Sequence, residues 1–100
     1  MKYDFIIIGA GPGGCSAARE AVRHGKTVCI VEAKKNTEIC LGGTCLHTGC
    51  IPTKSMYAGI EQKMTFNDAQ KHAKDVITQL FTGLHESLKN SLVTIKHGFA

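Results

Sequence analysis

Residues 5–14, Phe-Ile-Ile-Ile-Gly-Ala-Gly-Pro-Gly-Gly, decide the fold of this 100-residue chain. Residues 3–8 predict a buried strand, because the apolar residues 5–8 form a continuous run rather than an alternating one, which is typical of a parallel strand covered on both faces. The glycine-rich turn ends this strand, and Pro12 suits the start of a helix over residues 13–24. A second apolar run at residues 27–32 predicts a parallel partner strand. Together they form a βαβ unit with a right-handed crossover, which places the chain in the α/β class.

The turn carries the pattern Gly-x-Gly-x-x-Gly as Gly9, Gly11 and Gly14. The first glycine permits a tight turn, the second lets a pyrophosphate approach the backbone, and the third lets helix and strand pack closely. The phosphates would lie at the helix N-terminus near Pro12, where N–H groups and the helix dipole favour negative charge. Glu32, at the end of the second strand, can accept hydrogen bonds from both hydroxyls of an adenosine ribose. This context predicts a Rossmann-like dinucleotide-binding unit without distinguishing FAD from NAD. A nucleotide-free βαβ unit is the alternative.

After the second strand, the pattern predicts a loop, two helices and a third strand. Residues 33–44 are polar and glycine-bearing, which favours a loop. A helix is expected over residues 52–64, and a longer one, capped by Asn67, over residues 68–89. Residues 92–95 then predict a strand. The apolar positions of the long helix fall three or four apart, as expected for a face packed on a core: Ala69, Ala73, Val76, Ile77, Leu80, Phe81, Leu84 and Leu88.

Residues 42–54, Gly-Gly-Thr-Cys-Leu-His-Thr-Gly-Cys-Ile-Pro-Thr-Lys, contain Cys45 and Cys50. Residues five apart in a regular α-helix have Cα atoms roughly 8.6 Å apart, whereas a disulfide needs less than about 7 Å. A bridge between these cysteines therefore requires a break in the helix, for which Gly49 supplies flexibility. Pro52 disfavours the α conformation at the residue before it and suits a helix start. The segment allows a small, easily reduced disulfide ring leading into a helix, whose N-terminus would favour a thiolate. Two unpaired buried thiols are the alternative.

The sequence G-G-T-C-x-x-x-G-C-I-P-T-K resembles the redox-active motif of the pyridine nucleotide-disulfide oxidoreductases. Within that family, Leu46 and Ile51 resemble the dihydrolipoamide dehydrogenases more than the glutathione or mercuric reductases, which usually carry valine there. His47 and Thr48 depart from the commoner Asn-Val pair. The dinucleotide turn, Glu32, the long helix and the final strand also match in the family's order, so the resemblance covers nearly the whole chain.

The resemblance implies a role for each matching residue. Cys45 would be the interchange thiol that exchanges with the substrate sulfur, and Cys50 would be the charge-transfer thiolate against the flavin. Gly43 and Thr44 would approach the FAD with backbone and hydroxyl. Lys54 would lie near the flavin and stabilise its reduced form.

The resemblance also implies the reaction and its partners. Electrons would pass from dihydrolipoamide to the cysteine pair and through tightly but non-covalently bound FAD to NAD⁺. The partners would be the lipoyl domains of 2-oxoacid dehydrogenase complexes and, in the full-length form, a second copy of the chain. Family chains are several times longer, so residues 1–100 would be the N-terminal part of the FAD-binding domain. The NAD domain, the dimerisation domain and the catalytic His–Glu pair would lie elsewhere. A glutathione or mercuric reductase and a truncated nucleotide-binding or dithiol redox module without turnover are the alternatives.

Charge and composition indicate which partners and which cellular compartment to expect. The net charge of +4 comes from scattered residues, which argues against a nucleic-acid or membrane surface. The apolar run at residues 5–8 is far shorter than the ~20 residues of a membrane span and is followed directly by the glycine turn, so no signal peptide or span is predicted. We expect a cytoplasmic protein, with an organelle matrix after removal of a transit peptide as the alternative.

The cysteines also raise the question of a metal site. Cys40, Cys45 and Cys50 share one spacing, but no second close pair completes a zinc or iron–sulfur pattern. We therefore expect no metal and interpret Cys40 as a passive loop thiol. Cys15 and Cys29 fall in helix and strand patterns, where small buried thiols are common.

Overall fold

The computed structural model describes residues 2–33 and 41–100, which form three strands and four helices in this part of the chain. The elements are β1 Phe5–Ile8, α1 Pro12–Arg23, β2 Val28–Glu32, α2 Gly43–His47, α3 Cys50–Glu61, α4 Phe66–Asn90 and β3 Thr94–His97. The central strand β2 pairs in parallel with β1 on one side and with β3 on the other. The predicted α/β class and the parallel βαβ unit are confirmed.

The core lies where α1 and α4 meet the sheet. Cys15 of α1, Ile30 of β2 and Leu88 of α4 belong to one buried apolar cluster. Leu41, just before α2, joins the same cluster and so anchors the cysteine segment to the sheet. Cys15 and Cys29 are both buried, as predicted for packing thiols.

The exposure of β1 differs from the prediction of a strand covered on both faces. Ile6 is 64% exposed and Ile8 is 75% exposed. The reason is that α1 covers only the face of β1 on which Ile7 packs against the core, whereas Ile6 and Ile8 point to the other face. Nothing in the described ranges covers the opposite face of β1. The continuous apolar run therefore correctly predicted a strand, but it did not indicate which of the strand's faces are buried.

Two boundaries around the cysteines also differ. The predicted loop over residues 33–44 gives way to α2 at Gly43, because the left-handed conformation of Gly42 turns the chain directly into a helix. Residues 34–40 of that predicted loop lie outside the described residues. α3 begins at Cys50 rather than at Pro52, and the residue before the proline is helical. N–H groups of the first helical turn have no partner inside the helix, so a proline there removes no hydrogen bond.

The ends of the last two elements shift for similar local reasons. Thr65, not Asn67, caps α4, because its hydroxyl accepts a hydrogen bond from the backbone N–H of Asp68 at 3.2 Å. β3 runs over residues 94–97 rather than 92–95. Leu92 has φ +59°, a left-handed conformation that no extended strand contains.

Candidate functional site

The glycine turn between β1 and α1 has the geometry that a bound pyrophosphate requires. Gly9 has φ +96°, a conformation that favours glycine. A Cβ at Gly14 would overlap the carbonyl oxygen of Gly9, so only glycine lets α1 approach β1 this closely. Among the described residues, a Cβ at Gly11 would meet nothing within 4 Å, and no side chain caps the first turn of α1, which begins at Pro12. Open space in front of uncapped N–H groups fits a dinucleotide phosphate.

Glu32 stabilises this turn directly. Its Oε2 accepts a hydrogen bond from the backbone N–H of Ala10 at 2.8 Å, and the side chain is half-buried. The carboxylate at the end of β2 therefore fixes the residue between the first two glycines. The sequence predicted a role toward a ribose, which stays a prediction, and missed this structural role because the pairing is made across the sheet.

The cysteine segment lies against the same turn. The backbone N–H of Gly42 donates to the carbonyl oxygen of Ala10 at 2.8 Å. A Cβ at Gly43 would lie 3.0 Å from the Cα of Gly11, and Gly43 itself has φ +60°. The two glycine-rich segments, far apart in sequence, thus meet backbone to backbone. This contact brings the cysteine helices to the place where a dinucleotide would bind.

Cys45 lies in α2 and Cys50 is the first residue of α3. The helix is broken between them, which is the condition that a disulfide over this spacing would need. Both are unbridged thiols in this structure. Gly49 makes the break possible, because a Cβ there would lie 3.1 Å from the carbonyl oxygen of Thr44 and 3.6 Å from the Cα of Cys45. Any larger residue would push the start of α3 away from α2.

The two thiols interact. A side-chain hydrogen bond to Cys50 raises the pKa of Cys45, and burial and the charge of Cys50 act in the same direction. The backbone N–H of Cys50 has the opposite, smaller effect on that pKa. The pair therefore keeps a proton on Cys45 at neutral pH. Because the thiolate is the nucleophile in disulfide exchange, reaction at Cys45 needs a base.

A cavity of about 440 Å³ opens beside Cys45, between α1, α2 and α4. Ser16 and Arg19 line it from α1, and Leu80 and Gly83 line it from α4. The sequence pattern singled out only Leu80, as a core-facing position of α4, and there the prediction is wrong, because Leu80 is 44% exposed and lines the cavity. Ser16, Arg19 and Gly83 were not singled out, because they come from two helices that only the tertiary fold brings together. Cys45 itself is one of the residues that line the cavity.

His47, the residue that departs from the family pattern, ties α2 to its surroundings. Its Nε2–H donates to the carbonyl oxygen of Leu41 at 2.6 Å. Its ring lies edge-on to that of Phe81 of α4, with centroids 5.8 Å apart. His47 therefore braces the short helix that carries Cys45.

Two other predicted residues are exposed. Thr44 lies in α2 next to Cys45, and Lys54 lies one turn into α3 after Cys50. Thr44 directly precedes Cys45 in α2, and Lys54 follows Cys50 in α3, so each position depends on the helix that carries the neighbouring cysteine.

The described ranges, 2–33 and 41–100, contain no group of three or more His, Cys, Asp or Glu side chains that could hold a metal ion. Cys40, the third cysteine of the spaced series, lies outside them. None of the helices in the described residues is long and apolar enough to cross a membrane.

Comparison with known proteins agrees with this geometry. The sequence profile described as "Pyridine nucleotide-disulphide oxidoreductase" matches residues 3–99. A glutathione reductase from Debaryomyces hansenii is 34% identical over 99% of this chain and 24% of its own length. A dihydrolipoyl dehydrogenase from Corynebacterium glutamicum is 34% identical over 96% of this chain and 23% of its length. The Cu(II) complex of the HOCl-induced flavoprotein disulfide reductase RclA from Escherichia coli superposes with a TM-score of 0.87 at 28% identity, over 98% of this chain and 22% of that one. The chain thus spans about a quarter of the length of these relatives.

Proposed function

The chain belongs to the pyridine nucleotide-disulphide oxidoreductase family, and on that premise we propose that residues 1–100 form the N-terminal part of the FAD-binding domain of an enzyme that oxidises dihydrolipoamide with NAD⁺. Members of the family use FAD with NAD(P)H. The observation that carries the proposal is the contact of the cysteine segment with the dinucleotide turn, through Gly43 and Gly11. A flavin held at that turn would be within reach of the dithiol. The choice of dihydrolipoamide is supported by Leu46 and Ile51 of the cysteine motif.

The proposed exchange begins with a Cys45–Cys50 disulfide. One thiolate of dihydrolipoamide attacks the Cys45 sulfur, the bridge breaks, and Cys50 leaves as a thiolate. The second substrate thiolate then attacks the substrate sulfur bound to Cys45, which closes the lipoamide ring and releases Cys45 as a thiolate that takes up a proton. When bound, FAD supplies the transfer of the two electrons from the dithiol to NAD⁺. The hydrogen bond between the two side chains fits these separate roles, with Cys45 protonated and Cys50 as the thiolate, because it keeps a proton on Cys45.

The residues that would hold the FAD follow from the same arrangement. The turn and the start of α1 would bind its pyrophosphate, Glu32 its ribose, and residues of α2 and α3 its flavin end. These residues are Gly9, Gly11, Pro12, Gly14, Glu32, Gly43, Thr44 and Lys54.

The partners of the whole protein belong to the same proposal. Family members are commonly homodimers, and a homodimer would supply the catalytic His–Glu pair from the second subunit. That pair would be the base that takes the proton from a thiol of dihydrolipoamide, so that its thiolate can attack Cys45. We propose a cytoplasmic enzyme that serves the lipoyl domains of 2-oxoacid dehydrogenase complexes.

Replacing the interchange thiol tests the proposal. In the native flavin-loaded protein, Cys45→Ser should abolish the reduction of NAD⁺ by dihydrolipoamide, because the mixed disulfide cannot form. Cys40→Ser is the matched control and should keep turnover. NADH-dependent reduction of ferricyanide, which needs the flavin but not the cysteines, checks that the cofactor is still bound. Full dihydrolipoamide turnover in Cys45→Ser would overturn the assigned role.

One observation favours glutathione as a second candidate substrate. Arg19 is one of the residues that line the cavity beside Cys45, and arginine pairs well with the carboxylates that glutathione carries and lipoamide lacks. If glutathione disulfide is the substrate, Arg19→Ala should raise its KM with little change in kcat. If dihydrolipoamide is the substrate, its KM should be unaffected. Comparing kcat/KM for both substrates in the native protein and in this variant separates the two.

A further inference from the structure

We propose that Gly83, in the middle of α4, determines which substrates reach Cys45, because its lack of a side chain keeps the cavity beside that thiol open. The occupant would be the organic group attached to the sulfur that bonds to Cys45. This inference rests on the proposed function in that it takes Cys45 as the thiol that reacts with the substrate. It adds a residue outside the cysteine motif and the dinucleotide turn.

Glycine at this position lowers the stability of α4, and the fold of the described residues gives no reason for it. α4 runs from Phe66 to Asn90, so Gly83 lies well inside it and not at a cap. Glycine is the poorest helix former after proline, because it loses the most backbone freedom on ordering. The backbone at Gly83 is not in the left-handed region, so its conformation does not require glycine either.

Close packing does not explain it, and the other helical glycine in the α3–α4 pair shows the contrast. A Cβ at Gly59 of α3 would lie 3.1 Å from the Cβ of Ala69 and 3.2 Å from the sulfur of Met64. Gly59 is therefore needed where α3 and α4 touch. A Cβ at Gly83 would meet no atom within 4 Å among the described residues.

The open space at Gly83 is the cavity beside Cys45. Gly83 and Cys45 line the same 440 Å³, together with the neighbouring α4 residues Leu80 and Leu84. A side chain at position 83 would project into this space instead of into the core. The remaining walls are of mixed character, since Ser16 and Arg19 of α1 face Ile51 of α3 and the two leucines. Such a lining suits a group that is part apolar and part hydrogen-bonding, and a narrower cavity would exclude the bulkier ones.

Alkylation of Cys45 tests the inference without assuming a particular substrate. The native flavin-loaded protein is reduced with NADH and treated with iodoacetamide or, separately, with the bulky 5-iodoacetamidofluorescein. In each case the Cys45 sulfur forms a bond to carbon and iodide leaves. Peptide mapping by mass spectrometry gives the rate at Cys45 alone. The measured quantity is the ratio of the bulky-reagent rate to the small-reagent rate.

Gly83→Ala and Gly83→Leu provide graded obstruction by good helix formers. The rate ratio should fall slightly for the alanine variant, whose Cβ meets no atom within 4 Å among the described residues, and by about tenfold for the leucine variant, whose longer side chain fills part of the cavity. Thr82→Ala is the matched control, because Thr82 is the adjacent α4 residue but lines a different cavity, beside His47. Its ratio should be unchanged. Thermal melts should show all three variants at least as stable as the native protein.

The outcomes separate this inference from the proposed function. An unchanged rate ratio in a stably folded Gly83→Leu protein, or in Gly83→Ala if the larger variant does not fold, would overturn the role of Gly83 while leaving the disulfide reductase intact. A reduced ratio in a protein that turns over neither dihydrolipoamide nor glutathione disulfide would support the role of Gly83 as a gate and count against the proposed substrates. A reduced ratio together with a raised KM for the active substrate would support both.

Discussion

Replacing Gly14 with alanine should separate α1 from β1 and destabilise the dinucleotide turn. The added Cβ would overlap the carbonyl oxygen of Gly9 and lie 3.2 Å from the Gly9 carbonyl carbon and 3.3 Å from a side-chain methyl of Ile7. Two of these three atoms are backbone atoms at the end of a strand, so they cannot move aside as a flexible side chain would. Overpacking of this kind costs about 1–3 kcal/mol, part of which the better helix propensity of alanine offsets.

The neighbouring Gly13 is a matched control within the same helical turn. In the part of the chain that the structure describes, a Cβ at Gly13 would meet nothing within 4 Å, so Gly13→Ala should be neutral or stabilise by about 0.5–1 kcal/mol. Urea unfolding of the native protein, read at constant m-value, measures both changes. Flavin released on dilution should increase for Gly14→Ala only, because the turn that would hold the pyrophosphate is displaced. Equal stability of the two alanine variants would refute the argument that close packing requires glycine at position 14.

Three further predictions follow from the structure. The side chain of Cys50 raises the pKa of Cys45, so the rate of Cys45 alkylation in the reduced protein should increase with pH through a midpoint above that of an ordinary thiol. Cys50→Ala should move this midpoint to lower pH. A midpoint that stays or rises in the variant would contradict the contact between the two thiols. Glu32→Gln keeps an oxygen that can accept from the Ala10 N–H but loses the charge that strengthens the hydrogen bond. We therefore expect weaker flavin binding, measured by titration with FAD, and a loss of about 1 kcal/mol in unfolding free energy, measured by urea unfolding. The isolated chain of residues 1–100 exposes Ile6, Ile8 and other large apolar side chains, so it should bind a hydrophobic dye and aggregate, and a sharp two-state melt of the monomer would argue otherwise.

Several features of this protein could be predicted from the sequence because they depend on local patterns. The run of residues 5–8, the turn after it and the second strand have the periodicity and spacing of a parallel βαβ unit, and the structure confirms it. It was also predictable that a bridge between Cys45 and Cys50 would need a break in the helix, since a regular helix holds residues of that spacing too far apart; the structure has such a break, although the two thiols are unbridged in it. Cap positions were less certain, because Thr65 and Asn67 are both good caps and only the observed hydrogen bond distinguishes them.

Other features were decided only by the tertiary structure. Packing of α1 and α4 on the sheet buries Leu41 and so brings Gly43 against Gly11, which joins the two glycine-rich segments. The same packing forms the cavity beside Cys45 and gives Gly83 its place in the wall. The sequence determined which chemistry this chain carries, because cysteine spacing and glycine turns act over a few residues. The tertiary structure decided what can reach that chemistry, because a cavity wall is made from helices whose approach depends on core contacts between residues far apart in the chain.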